Sequence, residues 1–162
     1  MIRNLALALA VSLASLDLSV AQNRLYPIKP DPNVTPGRLC DHADQIRYPE
    51  KIRYCERHVE THVKVRIIQI YDTRFGYTIS RQNRADFKID HYIPLCMGGS
   101  NDVQNLWPQH KSIYQHTDPL EALLCEKMKF GRLRQLQAIE LIRRAKNDLS
   151  QVRQIIDYAS RL

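Results

Sequence analysis

The chain has 162 residues, 44% of them hydrophobic and 25% charged, which fits one globular domain with a modest core and excludes collagen, coiled coil and wholesale disorder. Twenty-four Lys and Arg against 17 Asp and Glu leave a formal net charge of +7, so the expected partner is polyanionic. Basicity alone does not separate nucleic acid from an anionic membrane.

The first residues read as an export segment. Met1-Ile2-Arg3-Asn4 is a short positive start, Leu5 to Leu16 is apolar, and Ser19-Val20-Ala21 carries the small residues that signal peptidase needs before its cut. The apolar run is shorter than the roughly 20 residues that span a bilayer. Residues 1–21 are therefore expected to be a signal peptide, with a mature chain starting near Gln22 that is periplasmic or secreted and does not sit in a membrane. Export gives meaning to the four cysteines, Cys40, Cys55, Cys96 and Cys125, because an even number in an oxidising compartment predicts disulfides. The three pairings stay open: 40–55 with 96–125 is the local option, and 40–96 with 55–125 would tie the N-terminal part to the core. The alternative is zinc held by some of Cys40, His42, Cys55, His58 and His62.

Residues 22–37 carry Pro27, Pro30, Pro32 and Pro36 with little apolar content and read as an extended leader without a packed core of its own. From Pro49 to about Tyr71, Ile52, Cys55, Val59, Val63, Ile67 and Ile70 or Tyr71 recur every three or four residues, predicting an amphipathic helix, although Val63 to Tyr71 also suits a strand. Gly76 ends it. Phe87, Ile89, His91, Ile93 and Leu95 alternate with Lys88, Asp90 and Tyr92, which is strand periodicity. Met97 to Asp102 is dense in turn formers, and Leu106-Trp107 allows a second, brief strand, so a hairpin with a long tip results. Asp118-Pro119-Leu120-Glu121 reads as a helix start, with Asp118 as N-cap and Pro119 at the first helical position, and Gly131 stops that helix. Two more helices are expected near 132–147 and 150–160.

Ile89 to Gln109 holds Asp90-His91, Pro94-Leu95, Gly98-Gly99-Ser100 and Asn105-Leu106-Trp107-Pro108-Gln109 in that order, with Asn105 14 residues after His91. This arrangement resembles the HNH endonucleases of the His-Me finger superfamily, whose site is a β-hairpin followed by a helix around one divalent metal. The resemblance covers roughly residues 85–142. It implies an α+β protein in which a ββα-metal site is embedded in a mostly helical, disulfide-bonded single domain: residues 38–162, with the motif core at about 85–130 and C-terminal helices at 131–162.

By the same resemblance His91 is the general base, Asp90 a metal ligand, and Asn105 the residue that holds the loop and so orients His91. The chemistry agrees, since phosphodiester hydrolysis needs a base for water and a cation for the extra charge on phosphorus, and neutral His suits the first task at pH 7. Adjacent residues on an ideal strand point to opposite faces, so Asp90 and His91 share a site only if the strand bends. The pattern departs at its third position, where a ligand about nine residues after the Asn falls on Tyr114. His110 is favoured as second metal ligand over His116, which lies in an expected turn just before the helix start, and over Asp118 and Glu121, which already have a capping role. Such ligands suit Mg²⁺ or Mn²⁺, with Zn²⁺ or Ni²⁺ as alternatives if both His110 and His116 bind.

Arg81, Arg84, Lys88 and Lys111 flank the motif and are expected to contact phosphates. Trp107 and Tyr114 are either core or base-stacking residues. The expected function is hydrolysis of nucleic acid, DNA ahead of RNA, with little sequence specificity. The competing expectation is a secreted nucleic-acid-binding protein that kept the fold without catalysis.

Overall fold

The computed structural model describes residues 25–162, so the expected signal peptide lies outside the described residues. Among the described residues four strands and four α-helices follow one another as β1 Gln45–Arg47, β2 Ile52–Tyr54, α1 Thr61–Phe75, β3 Phe87–His91, β4 Leu106–His110, α2 Lys111–Lys129, α3 Gln135–Asn147 and α4 Val152–Ser160. The architecture is α+β, with two antiparallel two-stranded sheets, β1–β2 and β3–β4. No helix among the described residues is long and apolar enough to cross a membrane.

The helix expected from Pro49 begins only at Thr61. Tyr48 and Lys51 adopt left-handed backbone (φ 66° and 59°), and the chain turns through Pro49 and Glu50 into β2. Periodicity alone cannot reveal such a turn, because Ile52 and Cys55 fall in helical register with the true helix that follows. Val63 to Tyr71 is helical, and Gly76 closes α1 in left-handed conformation (φ 71°) as its sequence position predicts.

The expected start of the next helix also moves. α2 starts at Lys111, capped by the His110 side chain accepting from the Ser112 N–H, and runs through Pro119 without ending. Proline there removes one intrahelical hydrogen bond, which the packing of α2 outweighs. Ile113, Thr117, Leu120, Leu124 and Met128 form its buried stripe. Asp118 is therefore not an N-cap; it sits mid-helix, with Glu121 one turn on.

Two apolar clusters flank the hairpin. One joins α2, α3 and α4 through Leu120, Leu124, Ile139, Ile142 and Ile155, with Ile93 and Met97 from the loop between β3 and β4. The other joins α1 to the hairpin through Ile67, Tyr71, Phe87, Ile89, Leu106, Trp107 and Ile113. The proline-rich leader belongs to this second cluster rather than lying free. Fully buried Thr35 donates to the Leu106 carbonyl (3.0 Å) and pairs with the Tyr71 hydroxyl (2.9 Å), which accepts from the Asp31 N–H (3.1 Å). Prolines fix the leader's path, and so lower the entropy lost when it docks.

The disulfides are Cys40–Cys55 and Cys96–Cys125, the local pairing, and none of the four thiols is free. Cys40 and Cys55 thus cannot ligate zinc, and His58 and His62 flank Glu60 at the surface instead. Cys96–Cys125 ties the long loop to α2 across 29 residues, a loop length for which cross-linking stabilises by about 3–4 kcal/mol. The Cys96→Ser/Cys125→Ser variant is expected to lose about that much in urea unfolding; a loss below about 1 kcal/mol would contradict the chain-entropy account.

Candidate active site

β3 and β4 pair antiparallel in a register that sets Asp90 opposite Trp107, His91 opposite Leu106 and Phe87 opposite His110. Residues 92–105 form the long tip, and Asn105 closes it. Its side chain is fully buried: Oδ1 accepts from the Ile93 N–H (2.8 Å), and Nδ2 donates to the carbonyls of Ile93 (2.9 Å) and Ser100 (2.8 Å). Gly99 lets the loop backbone lie against Ile93, since a Cβ there would collide with the Ile93 carbonyl oxygen. Asn105→Ala leaves three backbone groups without partners and is expected to cost roughly 2–4 kcal/mol in chemical denaturation. A cost under 1 kcal/mol would mean that the loop holds itself.

Asp90 and His91 take separate partners, as strand alternation requires. The Asp90 carboxylate meets Lys146 of α3, whose Nζ donates to Asp90 Oδ2 (2.8 Å) and to the His91 carbonyl (2.6 Å) and lies 3.4 Å from Glu121 Oε2. Its other oxygen lies 3.3 Å from Lys88 Nζ, which also donates to Asp118 Oδ1 (2.6 Å). Carboxylate oxygens of Asp90, Asp118 and Glu121 lie within 4.8 Å of one another. Burial works against charge on Asp90, but the ammonium groups of Lys146 and Lys88 outweigh it and hold its carboxyl below the ordinary range. Burial, with Asp90 and Asp118 nearby, raises Glu121. Lys146 is held above its ordinary value: burial opposes its charge, and the two carboxylates more than offset that.

His91 faces the other way. Its Nε2 lies 3.0 Å from Asn101 Oδ1, and Arg57 Nη2, from the segment between β2 and α1, approaches Nδ1 at 3.4 Å. Burial pushes the imidazole down to about 4, against the Asn101 hydrogen bond and the Asp90 charge, so it is neutral at pH 7 and equipped to accept a proton. A cavity of about 280 Å³ lined by Arg57, Lys64, Glu60 and Ile89 opens on this side.

His110 is not brought to Asp90. It stands three pairs along the ladder, stacks on Tyr26 and caps α2. Asp118 and Glu121, freed from capping because α2 starts eight residues earlier than expected, reach Asp90 instead. Of the expected phosphate contacts, Lys88 sits inside the acidic cluster, and Arg81 is exposed in a short 3-10 turn. Lys111 pairs with Asp86 (2.8 Å), and Arg84 donates to the Phe87 carbonyl (2.5 Å), both at the end of the hairpin away from His91. Trp107 is fully buried and so is core rather than a stacking platform. Lys146, Asn101 and Arg57 were not marked by the motif; the Asp118/Glu121 spacing of three on one helix face was the only sequence signal for the acidic cluster.

Comparison with family models, with curated proteins and with solved structures gives no match to this chain.

Proposed function

We propose that the chain is an exported endonuclease of the HNH type that hydrolyses phosphodiester bonds in DNA, and secondarily RNA, with little sequence specificity. The observation that carries this reading is the end of β3. A neutral, directionally held His91 and a carboxylate, Asp90, are consecutive residues of a hairpin whose loop is closed by Asn105; Asp90 turns toward two more carboxylates on the following helix, and His91 toward the opposite face.

The donor set fits a hard divalent cation. Three carboxylates favour Mg²⁺ or Mn²⁺, and with no imidazole or thiolate among them Zn²⁺ and Ni²⁺ lose their preferred donors. Lys88 Nζ, bridging Asp90 and Asp118, marks where positive charge is wanted, and with its side chain 31% exposed it has room to move aside; Lys146, fully buried, does not. Asp90, Asp118 and Glu121 would hold the ion, and a divalent cation there would supply charge stabilisation to the phosphorus centre once β3 bends to bring Asp90 round to the His91 face. His91 Nδ1 takes the proton of the attacking water. Arg57, adjacent to that nitrogen, pairs with a phosphate oxygen and so fixes the scissile group within reach of the base. Buried Lys146 keeps Asp90 ionised and anchors the His91 backbone. Two disulfides suit work in an oxidising compartment.

The test is incubation of the mature chain with double-stranded DNA, single-stranded DNA and RNA, with Mg²⁺ or Mn²⁺. Cleavage of DNA at internal sites is expected, with RNA cut more slowly. Tight binding of these polymers without cleavage of any would overturn the proposal in favour of a binding protein on the same fold.

A further inference from the structure

Asn101 holds the imidazole of His91 from the side opposite its reactive nitrogen. Its Nδ2 donates to the Glu56 carbonyl (2.6 Å), which leaves Oδ1 turned to His91 Nε2 at 3.0 Å. A carboxamide oxygen only accepts, so the proton of the neutral ring must sit on Nε2 and the lone pair on Nδ1. The contact of Nδ1 is a guanidinium donor, Arg57 Nη2, in keeping with that tautomer.

The anchor itself is fixed. Glu56 follows Cys55, which is bonded to Cys40, and the Cys40 N–H donates to the Gly98 carbonyl (2.8 Å) three residues before Asn101. The Glu56 N–H donates to Asp44 Oδ2 (2.8 Å). The disulfide, the Glu56 carbonyl, Asn101 and the loop backbone form a closed circuit around one edge of the ring.

We propose that Asn101 is the positioning residue of His91, selecting the Nε2–H tautomer and aiming Nδ1 at the Arg57 side of the site, with Cys40–Cys55 holding the carbonyl to which Asn101 is tied. The role in turnover rests on His91 being the general base; the tautomer does not. An amide serves where a carboxylate would not, because a negative group beside His91 would repel the phosphodiester that must approach Arg57.

The test reads the histidine nitrogens by ¹⁵N NMR on the intact mature chain without substrate, alongside cleavage kinetics. For His91, Nδ1 is expected to be pyridine-like and Nε2 pyrrole-like. Asn101→Ala should mix the tautomers, and Asn101→Asp, which loses the donor to the Glu56 carbonyl but presents His91 with a charged oxygen that only accepts, should still favour the proton on Nε2. In cleavage, Asn101→Ala should lower kcat by about tenfold or more with KM within about twofold. A proton on Nδ1 in the wild-type chain, or an unchanged His91 signal in Asn101→Ala, overturns the proposal. If Asn101→Ala does not fold, the wild-type and Asn101→Asp spectra decide it alone: mixed tautomers in Asn101→Asp overturn it, and retained ones support it. A wild-type chain that cuts nothing yet shows the expected tautomer defeats the nuclease reading and leaves the Asn101 assignment standing.

Discussion

His91→Ala is expected to abolish nucleic-acid cleavage while leaving the fold and substrate binding in place, a loss on the order of 10²–10⁴ in rate. The ring lies at the end of β3, where its removal leaves Asn101 Oδ1 and the Arg57 guanidinium without a partner, and both sit close enough to solvent to be hydrated. The ring itself is buried, so its removal also opens a cavity and is expected to cost about 1–3 kcal/mol in stability, a small change against the loss of activity. Single-turnover cleavage, with the melting temperature measured in parallel, checks this. A variant that melts normally and cuts at the wild-type rate would remove His91 from the mechanism.

Lys146→Met should produce the largest loss of stability. Lys146 Nζ is fully enclosed and serves two carboxylates and the His91 carbonyl. Without it Asp90 and Glu121 face one another with no buried cation between them, and breaking a buried pair from one side costs about 3–5 kcal/mol. The pH dependence should invert. In the wild type Asp90 titrates below its unfolded value, so its contribution is present above the ordinary carboxylate range and is lost as pH falls through the folded value. In Lys146→Met the carboxylate pair is pushed up, the folded state binds the extra proton, and stability falls as pH rises through that range. Urea unfolding at pH 5 and pH 8 should show the variant nearer to wild type at pH 5, with Lys146→Met/Asp90→Asn recovering part of the deficit. A single-variant loss below about 1 kcal/mol at both pH values would mean that the ion pair is not what holds α3 to β3.

These two residues mark what was legible in the sequence. His91, Asp90 and Asn105 lie in one stretch with recognisable spacing, but the bend that the resemblance implied at Asp90-His91 is not there: β3 pairs regularly through both residues, and alternation sends their side chains to different neighbours. Lys146 is 55 residues from His91, on a helix whose amphipathic pattern reads equally well with a lysine at the boundary. Nothing local distinguishes a buried lysine from a solvated one, because its charge is compensated only by residues brought there by tertiary packing. Asp118 and Glu121 were visible but misassigned: Asp-Pro-Leu-Glu has the chemistry of a helix start, and the apolar stripe from Ile113 to Met128 overrode it. The β1–β2 hairpin was hidden in a helical period, and with it the position of Arg57 beside His91. The proline-rich leader was read by composition, which registers its stiffness but not the contacts of Thr35 and Tyr26 that dock it.

The most direct measurement is conversion of supercoiled plasmid to nicked and linear forms by the mature chain in Mg²⁺, followed by addition of a chelator. The account predicts nicking that stops on chelation and resumes when Mg²⁺ is restored in excess. Plasmid that stays supercoiled with Mg²⁺ and with Mn²⁺, or nicking that proceeds unchanged in chelator, would contradict it.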